Sequence, residues 1–155
     1  MSETTAPKLA KYILYAANQR GIQMTNLKLQ KLLYYCQAWH LAITESELFP
    51  ERIEAWVHGP VVPPVFRMFK EYRWNNLPLP SEEPEIEYGE PSCPIRDHVA
   101  EVLDAYAHLS GYQLEALTHH ESPWLSARNG IAPDAPSTAR ITNESMKEYY
   151  QSRLI

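Results

Sequence analysis

Apolar residues recur every three or four positions along most of the chain, a spacing that places them on one face of an α-helix. The first such segment begins at a possible N-cap, Thr4 or Thr5, and stops at Gly21. A second occupies residues 25–44. The pattern predicts one compact, mainly α domain of six to seven helices over residues 1–155. Beyond residue 60, prolines or capping residues open the later helices, at Pro63 or Pro64, Pro94, Ser110, Ser122, and Thr142 or Asn143.

The segment 25–44 is apolar around most of its circumference, with Thr25 or Asn26 as its N-cap. A helix that is apolar on nearly every side is expected to be buried on nearly every side. We therefore predict that it is the central helix of the fold. Its buried faces carry Leu29, Leu32 and Tyr34. Its wetter side is expected to carry the polar residues Lys28, Lys31 and Gln37.

Two stretches interrupt the helical pattern. Residues 51–56 alternate apolar with polar side chains and suit a short extended segment. Gly59 and Pro60 then predict a stiff turn that Val61 continues in an extended conformation, because proline disfavours helix at its own and at the preceding position. This part of the chain should form a rigid corner beside the central helix. The second interruption, residues 73–93, is a long surface loop rich in proline and glutamate.

Composition is that of an ordinary globular protein, since 45% of the residues are apolar and 21% are charged. The longest unbroken apolar run, Tyr12 to Ala17, is far shorter than the roughly 20 residues that a membrane span requires. The opening residues, MSETTAPKL, lack the features of a secretory signal, which predicts a cytoplasmic protein without a membrane partner. Cys36 and Cys93 have no metal-ligand spacing, and we expect both to be free thiols.

Acidic residues are concentrated in the Pro- and Glu-rich loop. The net charge is -5, but without five loop glutamates the chain has 14 acidic and 14 basic residues. Because this balanced body has no excess of basic residues, nucleic acid is not an expected partner. The loop is either a solvated segment or a docking strip for a basic protein. The five residues are Glu82, Glu83, Glu85, Glu87 and Glu90.

Histidines and carboxylates are the side chains that bear on catalysis. The chain has no Gly-x-Ser-x-Gly elbow and no Gly-rich phosphate loop. His119 and His120 would point about 100 degrees apart on a helix, so they cannot easily share a metal ion. We predict no catalytic residue, metal or cofactor. An enzyme that uses His58, or His119 with Glu115 one turn before it, is the less favoured hypothesis.

Three stretches follow one another in a characteristic order: LKLQKLLYYCQAWHLA, IEAWVHGPVVPPVFRMFKEY and LEALTHHESPWLSAR. Together they resemble the Panacea domain family, the SocA-like antitoxins that include phage-associated proteins. The resemblance covers about Leu9 to Arg128. The shared residues look like determinants of the fold, with Trp56 and Trp124 in the core and His58 as a buried imidazole that holds a turn. They are Leu29, Leu32, Tyr34, Trp56, His58, Gly59, Pro60, Val61, His119, Pro123 and Trp124.

The resemblance implies a compact helical antitoxin that binds and blocks a toxin protein encoded next to it. Delivery of the toxin to an intracellular protease is a second mode that the family implies. Aromatic side chains are common anchors of interfaces, and glutamates can steer a basic partner. The candidate partner-binding residues are therefore Tyr72, Trp74, Glu82, Glu83, Glu85, Glu87 and Tyr88.

Overall fold

A computed structural model of the chain describes residues 2–86 and 94–154. Within these ranges the protein has seven α-helices, one 3-10 turn and a small three-stranded sheet, which confirms the mainly α prediction. Glu87, Tyr88, Glu90 and Cys93 lie outside the described residues. The elements are α1 (Ala6–Gln19), α2 (Asn26–Thr44), β1 (Ile53–Trp56), β2 (Gly59–Val61), α3 (Pro63–Phe69), the 3-10 turn (Lys70–Tyr72), α4 (Pro94–Tyr106), α5 (Gly111–Thr118), α6 (Ser122–Arg128), β3 (Arg140–Ile141) and α7 (Asn143–Gln151).

Helix starts follow the local chemistry of capping. The side chains of Thr5, Thr25 and Thr142 cap α1, α2 and α7, each accepting a hydrogen bond from a backbone N–H three residues ahead. Ser110 and Gln113 form the predicted capping box of α5. The prediction that Ser122 caps α6 is wrong by one position. Glu121 is the N-cap residue of α6, but its carboxylate accepts a hydrogen bond from Tyr35 and does not cap the helix.

Helix α2 is the centre of the fold, in contact with α1, α3, α4, α5, α7 and β2. The prediction that Lys28, Lys31 and Gln37 lie on a wetter side is wrong, because all three are buried. Each finds a backbone carbonyl on another part of the chain. Lys28 Nζ donates to Ala107 O at 2.6 Å, Lys31 Nζ to Pro60 O at 3.1 Å, and Gln37 Nε2 to Phe49 O at 2.8 Å. These bonds offset part of the cost of removing polar groups from water.

The sheet has the order β2-β1-β3, with both pairs antiparallel. Trp56 is paired with Gly59, so the reversal falls at Val57 and His58, not at Gly59 and Pro60 as predicted. The extended segment is therefore one arm of a hairpin. Ala55, opposite Pro60, donates its N–H to Ala139 on the other side of β1. The edge position of β2 tolerates a proline there, since no ladder hydrogen bond from residue 60 is needed.

A buried network of hydroxyl groups joins α2 to α7. Glu121 Oε1 accepts hydrogen bonds from Tyr35 at 2.7 Å and Tyr150 at 2.9 Å. Because Tyr150 donates to Glu121, the 2.9 Å contact between the Tyr34 and Tyr150 hydroxyls has Tyr34 as its donor. Burial raises the pKa of Glu121, which the two tyrosine hydrogen bonds oppose. The network places the start of α6 against both helices.

Among the helices that the structure describes, none combines the length and the apolar character needed to cross a membrane.

Candidate functional site

The hairpin of β1 and β2 is clamped from behind by α6. Trp124 is buried and donates its indole N–H to Trp56 O at 2.8 Å. His119, at the end of α5, stacks on the Trp124 ring with 4.0 Å between the ring centroids. Arg128 donates to Ala55 O at 2.9 Å. The hairpin stretch and the Pro-Trp stretch of the sequence thus meet through backbone carbonyls of β1, and Pro123 is buried beside them.

Gly59 lies where the hairpin crosses the side chain of Lys31. Its φ is +101°, a conformation that side-chain-bearing residues rarely adopt. A Cβ atom at this position would also lie only 2.6 Å from Lys31 Cε and 3.0 Å from Thr118 Oγ1. The absence of a side chain therefore lets the hairpin pack directly on Lys31, which reaches Pro60 O beyond it.

Burial lowers the pKa of Lys31 to about 7, a shift that the nearby carboxylate of Glu115 opposes. The ordinary lysine value is 10.5, so between pH 7 and about 10 the unfolded chain binds more protons than the folded one. This group therefore makes the free energy of unfolding rise with pH through that window, by at most about 1.4 kcal/mol per pH unit. Below pH 7 both states are protonated, and the contribution no longer changes.

We expect Lys31→Met to reduce this rise, because methionine keeps the apolar stem and has no proton to release. Urea unfolding at several pH values between 7 and 9.5 gives the free energy of unfolding of both proteins. The difference between the two free energies should change steadily over this pH range. Lys11→Met, at an exposed lysine of α1, is the matched control and should leave the pH dependence as it is. Parallel curves for wild type and Lys31→Met would contradict the lowered pKa of Lys31.

His58 is exposed at the tip of the hairpin, so the expectation of a buried imidazole is wrong. Its Nδ1 lies 3.2 Å from Glu115 Oε2, while Glu115 Oε1 is buried without a hydrogen-bond partner. Trp56 is half-buried, not in the core, and it lines an open groove. His58 and Trp56 therefore both reach the surface, on a hairpin that buried contacts hold in place.

An open groove of about 490 Å³ runs between the start of α2, the hairpin, α3 and the first turn of α5. We call it the hairpin groove. Its walls are mostly apolar and aromatic, and its charged lining residues are all basic. It is lined by Asn26, Leu27, Gln30, Lys31, Trp56, His58, Val61, Phe66, Lys70, Arg73, Trp74 and Tyr112.

Two aromatic side chains stand at the rim of the groove. Trp74 is 75% exposed and Tyr112 is 72% exposed, unusual values for large rings. Trp74 follows Arg73, whose φ of 55° is in a region uncommon for residues other than glycine. The next residues are tied to the start of α2, where Leu77 N donates to Met24 O at 2.7 Å. The rim segment is thus anchored to the body of the protein.

Residues 29–125 match the family described as SocA-like antitoxins with the Panacea domain. The chain belongs to this family. Antitoxin SocA of Caulobacter vibrioides (strain NA1000 / CB15N) is 27% identical over an alignment of 154 residues, which covers 94% of this chain and 82% of that protein. No solved structure matches the chain. Membership suggests the antitoxin role in a toxin-antitoxin pair, and with it a non-enzymatic protein.

The Panacea-matched region contains most of the groove but also most of the clamp behind it. Leu29, Leu32 and Tyr34 are fully buried in α2, while Pro60 and Val61 are buried in β2. These motif residues form the support of the hairpin. Trp74 and Tyr112, at the rim of the groove, are not among these motif residues.

The predicted partner-binding residues fall on different parts of the Panacea domain. Trp74 lines the hairpin groove, and Tyr72 is half-buried against the core. Glu83 lies 2.7 Å from Arg96 of α4, and neither Glu82 nor Glu85, both exposed, lines the groove. Glu87 and Tyr88 lie outside the described residues. The described part of the acidic loop and the basic groove are therefore distinct surfaces.

Groove residues that the sequence analysis did not predict come from α2, α3, the segment after α3 and α5. Phe66 of α3 is half-buried, and its ring meets Trp56 at 5.0 Å between centroids. Lys70 lies near the end of the second family stretch, while Arg73 and Tyr112 lie outside all three stretches, and none of the three was predicted to bind a partner. The one local signal available was the pair of basic residues close to Trp74. Within the described ranges, no group of three or more His, Cys, Asp or Glu side chains could hold a metal ion.

Proposed function

We propose that this protein is a cytoplasmic antitoxin that neutralises a cognate toxin, encoded by an adjacent gene, by binding it directly. The observation that carries the proposal is the hairpin groove, an open and largely apolar depression with Trp74 and Tyr112 exposed at its rim. Exposed aromatic residues around such a depression are typical of protein interfaces, where tryptophan and tyrosine are frequent anchors. Family membership supports a toxin as the protein that is bound.

The construction of the site favours occlusion by a preformed surface. The hairpin is fixed by Arg128 and Trp124, and the rim segment is fixed to the start of α2. A surface that is already ordered loses little conformational freedom on binding, so more of the contact energy remains for affinity. An interface of standard size would bury about 800 Å² on this side.

Co-expression with each neighbouring open reading frame tests the proposal. We expect one neighbour to arrest growth alone, to be harmless beside this protein, and to co-purify with it in a defined ratio. Rescue without co-purification would contradict neutralisation by direct binding, and failure to rescue any neighbour would contradict the antitoxin role. A histidine substitution that abolished rescue, but left the melting temperature and toxin binding intact, would point to an enzyme.

Delivery of the toxin to an intracellular protease is a second candidate function. An adaptor of this kind needs a second binding surface, for the protease, besides the surface that binds the toxin. One observation favours it: a cavity of about 180 Å³ between α2 and α4, bordered by Trp39, His98 and the exposed Ile43. The adaptor hypothesis predicts that the toxin is degraded faster when this protein is present. A toxin half-life that is the same with and without this protein, measured after synthesis is stopped, would exclude delivery and leave occlusion.

A further inference from the structure

We infer that the hairpin groove binds an acidic, apolar segment of the partner protein: a large aromatic or aliphatic side chain with carboxylates next to it. The inference rests on the proposed function, since it describes the part of the toxin that this antitoxin grips. It concerns the chemistry of the occupant, which neither the family nor the exposed aromatic residues specify.

Charge complementarity identifies the acidic part of the occupant. Lys31, Lys70 and Arg73 line the groove, and among the residues that the structure describes no aspartate or glutamate does. Within the described part of the chain, Lys70 and Arg73 are exposed and have no ion-pair partner. A groove with free cations is unexpected in a chain whose net charge is -5. Carboxylates on the occupant would supply the missing partners.

Glu115 faces His58 and Lys31 of the groove, but the described neighbouring carboxylates leave Lys70 and Arg73 unpaired. Glu71, between these two residues in the chain, is exposed and does not line the groove. Glu54 accepts the Trp56 indole N–H at 2.9 Å and lies 3.4 Å from Arg52. Glu115 lies behind the hairpin tip, with one oxygen near His58 and the other buried. Both carboxylates are thus held within the framework.

The walls and floor identify the apolar part of the occupant. Trp56 and Phe66 form an edge-to-face pair in one wall, and Trp74 extends the apolar surface to the rim. On the floor, Asn26 accepts from Gln30 at 2.8 Å, and Gln30 accepts from Val62 N at 2.9 Å. These amides bond within the protein, so the floor is preorganised for an apolar side chain. A volume of about 490 Å³ is within the usual range of ligand sites, about 300–1,000 Å³.

Single-stranded nucleic acid is the other anionic occupant that aromatic rings can stack on. Such binding normally uses a groove of positive charge that follows the backbone over about 4–16 nucleotides. Here the exposed basic residues are Lys70 and Arg73 with His58, confined to one depression. The observations therefore favour a protein segment, and an oligonucleotide becomes an outcome to be tested.

Nitrogen-15 NMR of the full chain tests the chemistry of the occupant directly. The four tryptophans provide four indole signals, of which Trp56 and Trp74 report on the groove while Trp39, which does not line it, serves as the internal control. Three probes are compared at up to millimolar concentration. They are a capped hexapeptide with leucine and phenylalanine flanked by aspartate and glutamate, the same peptide with lysine as the flanking residue, and a six-nucleotide single-stranded RNA.

We expect the acidic peptide to shift the Trp56 and Trp74 signals and leave the Trp39 signal in place. Its dissociation constant should rise at least tenfold in Lys70→Glu/Arg73→Glu. The matched control, Arg140→Glu, reverses an exposed charge of β3 outside the groove and should bind as wild type does. An acidic peptide that leaves both groove signals unmoved, equal shifts with the basic peptide, or a stronger response to the RNA would each overturn the inference.

The toxin provides the second arm and separates this inference from the proposed function. We expect Trp74→Ala and Lys70→Glu/Arg73→Glu to lose rescue and to weaken toxin binding more than tenfold, whereas Leu125→Ala, at an exposed leucine of α6, keeps both. If the groove variants still neutralise the toxin, the groove inference fails and the antitoxin proposal stands. If the acidic peptide binds but no neighbouring gene product is neutralised, the antitoxin proposal fails and the groove chemistry stands.

Discussion

Arg128→Met is expected to lower the free energy of unfolding by about 3–5 kcal/mol. The guanidinium group is buried and donates hydrogen bonds to Ala55 O, Ala132 O and Ala135 O, while it lies over the Trp124 ring at 4.8 Å. Methionine keeps much of the volume but leaves three carbonyls without this donor, at about 1–3 kcal/mol for each that stays buried. Removing a buried charge returns part of that cost.

Denaturant unfolding of Arg128→Met beside two other variants measures this loss. Arg128→Lys should lie between wild type and Arg128→Met, because a single ammonium group cannot span three carbonyls as a planar guanidinium does. Arg140→Met, at an exposed arginine, should change stability by less than about 0.5 kcal/mol. A loss below about 1 kcal/mol in Arg128→Met would mean that water or a rearranged loop replaces the three hydrogen bonds.

Gly59→Ala is expected to destabilise the protein by about 2–5 kcal/mol. A φ of +101° costs an alanine about 1–2 kcal/mol, and the new methyl carbon would lie 2.6 Å from Lys31 Cε. Relieving that overlap requires movement of a fully buried side chain, which adds a cost typical of overpacking, about 1–3 kcal/mol. Thermal and denaturant unfolding at pH 8 measure the total.

Gly130→Ala separates backbone strain from the steric overlap. Gly130 has a φ of +84° but open space around it, so its substitution should cost only about 1–2 kcal/mol. Combining Gly59→Ala with Lys31→Ala completes a double-mutant cycle, in which truncation of the lysine makes room for the methyl group. Two results together would show that the contact with Lys31 adds nothing to the cost of Gly59→Ala. These are equal losses of stability in Gly59→Ala and Gly130→Ala, and additive effects in the double-mutant cycle.

Helix boundaries were predictable because capping is a local interaction. Thr25 bonds to the N–H of Lys28, and Ser110 and Gln113 bond to each other, so each signal lies within four residues of sequence. The predicted start of α6 is wrong by one residue, because interactions between residues distant in sequence act there. The carboxylate of Glu121 is occupied by Tyr35 and Tyr150, which are distant in sequence.

The burial or exposure of individual polar residues could not be predicted from such local signals. Lys31 looked like a solvent-facing residue because lysine is seldom buried, yet Pro60 supplies a carbonyl 29 residues further along the chain. His58 looked like a buried turn residue, but the reversal falls two residues earlier than predicted and exposes it. Both errors arose from contacts that exist only once the hairpin packs on α2.

The amino-acid sequence by itself determined the mainly α character, the starts of most helices, α2 as the central helix, and the three stretches that identify the SocA-like Panacea family. Those properties depend on periodicity, capping and residue order, which act over short distances along the chain. Only the tertiary structure decided that Asn26, Phe66, Arg73 and Tyr112 border one groove, and that the described acidic residues of the loop lie apart from it. Four separate elements meet there, and their meeting is set by the packing of the hairpin and α5 on α2, where Gly59 and Gly111 allow close approach.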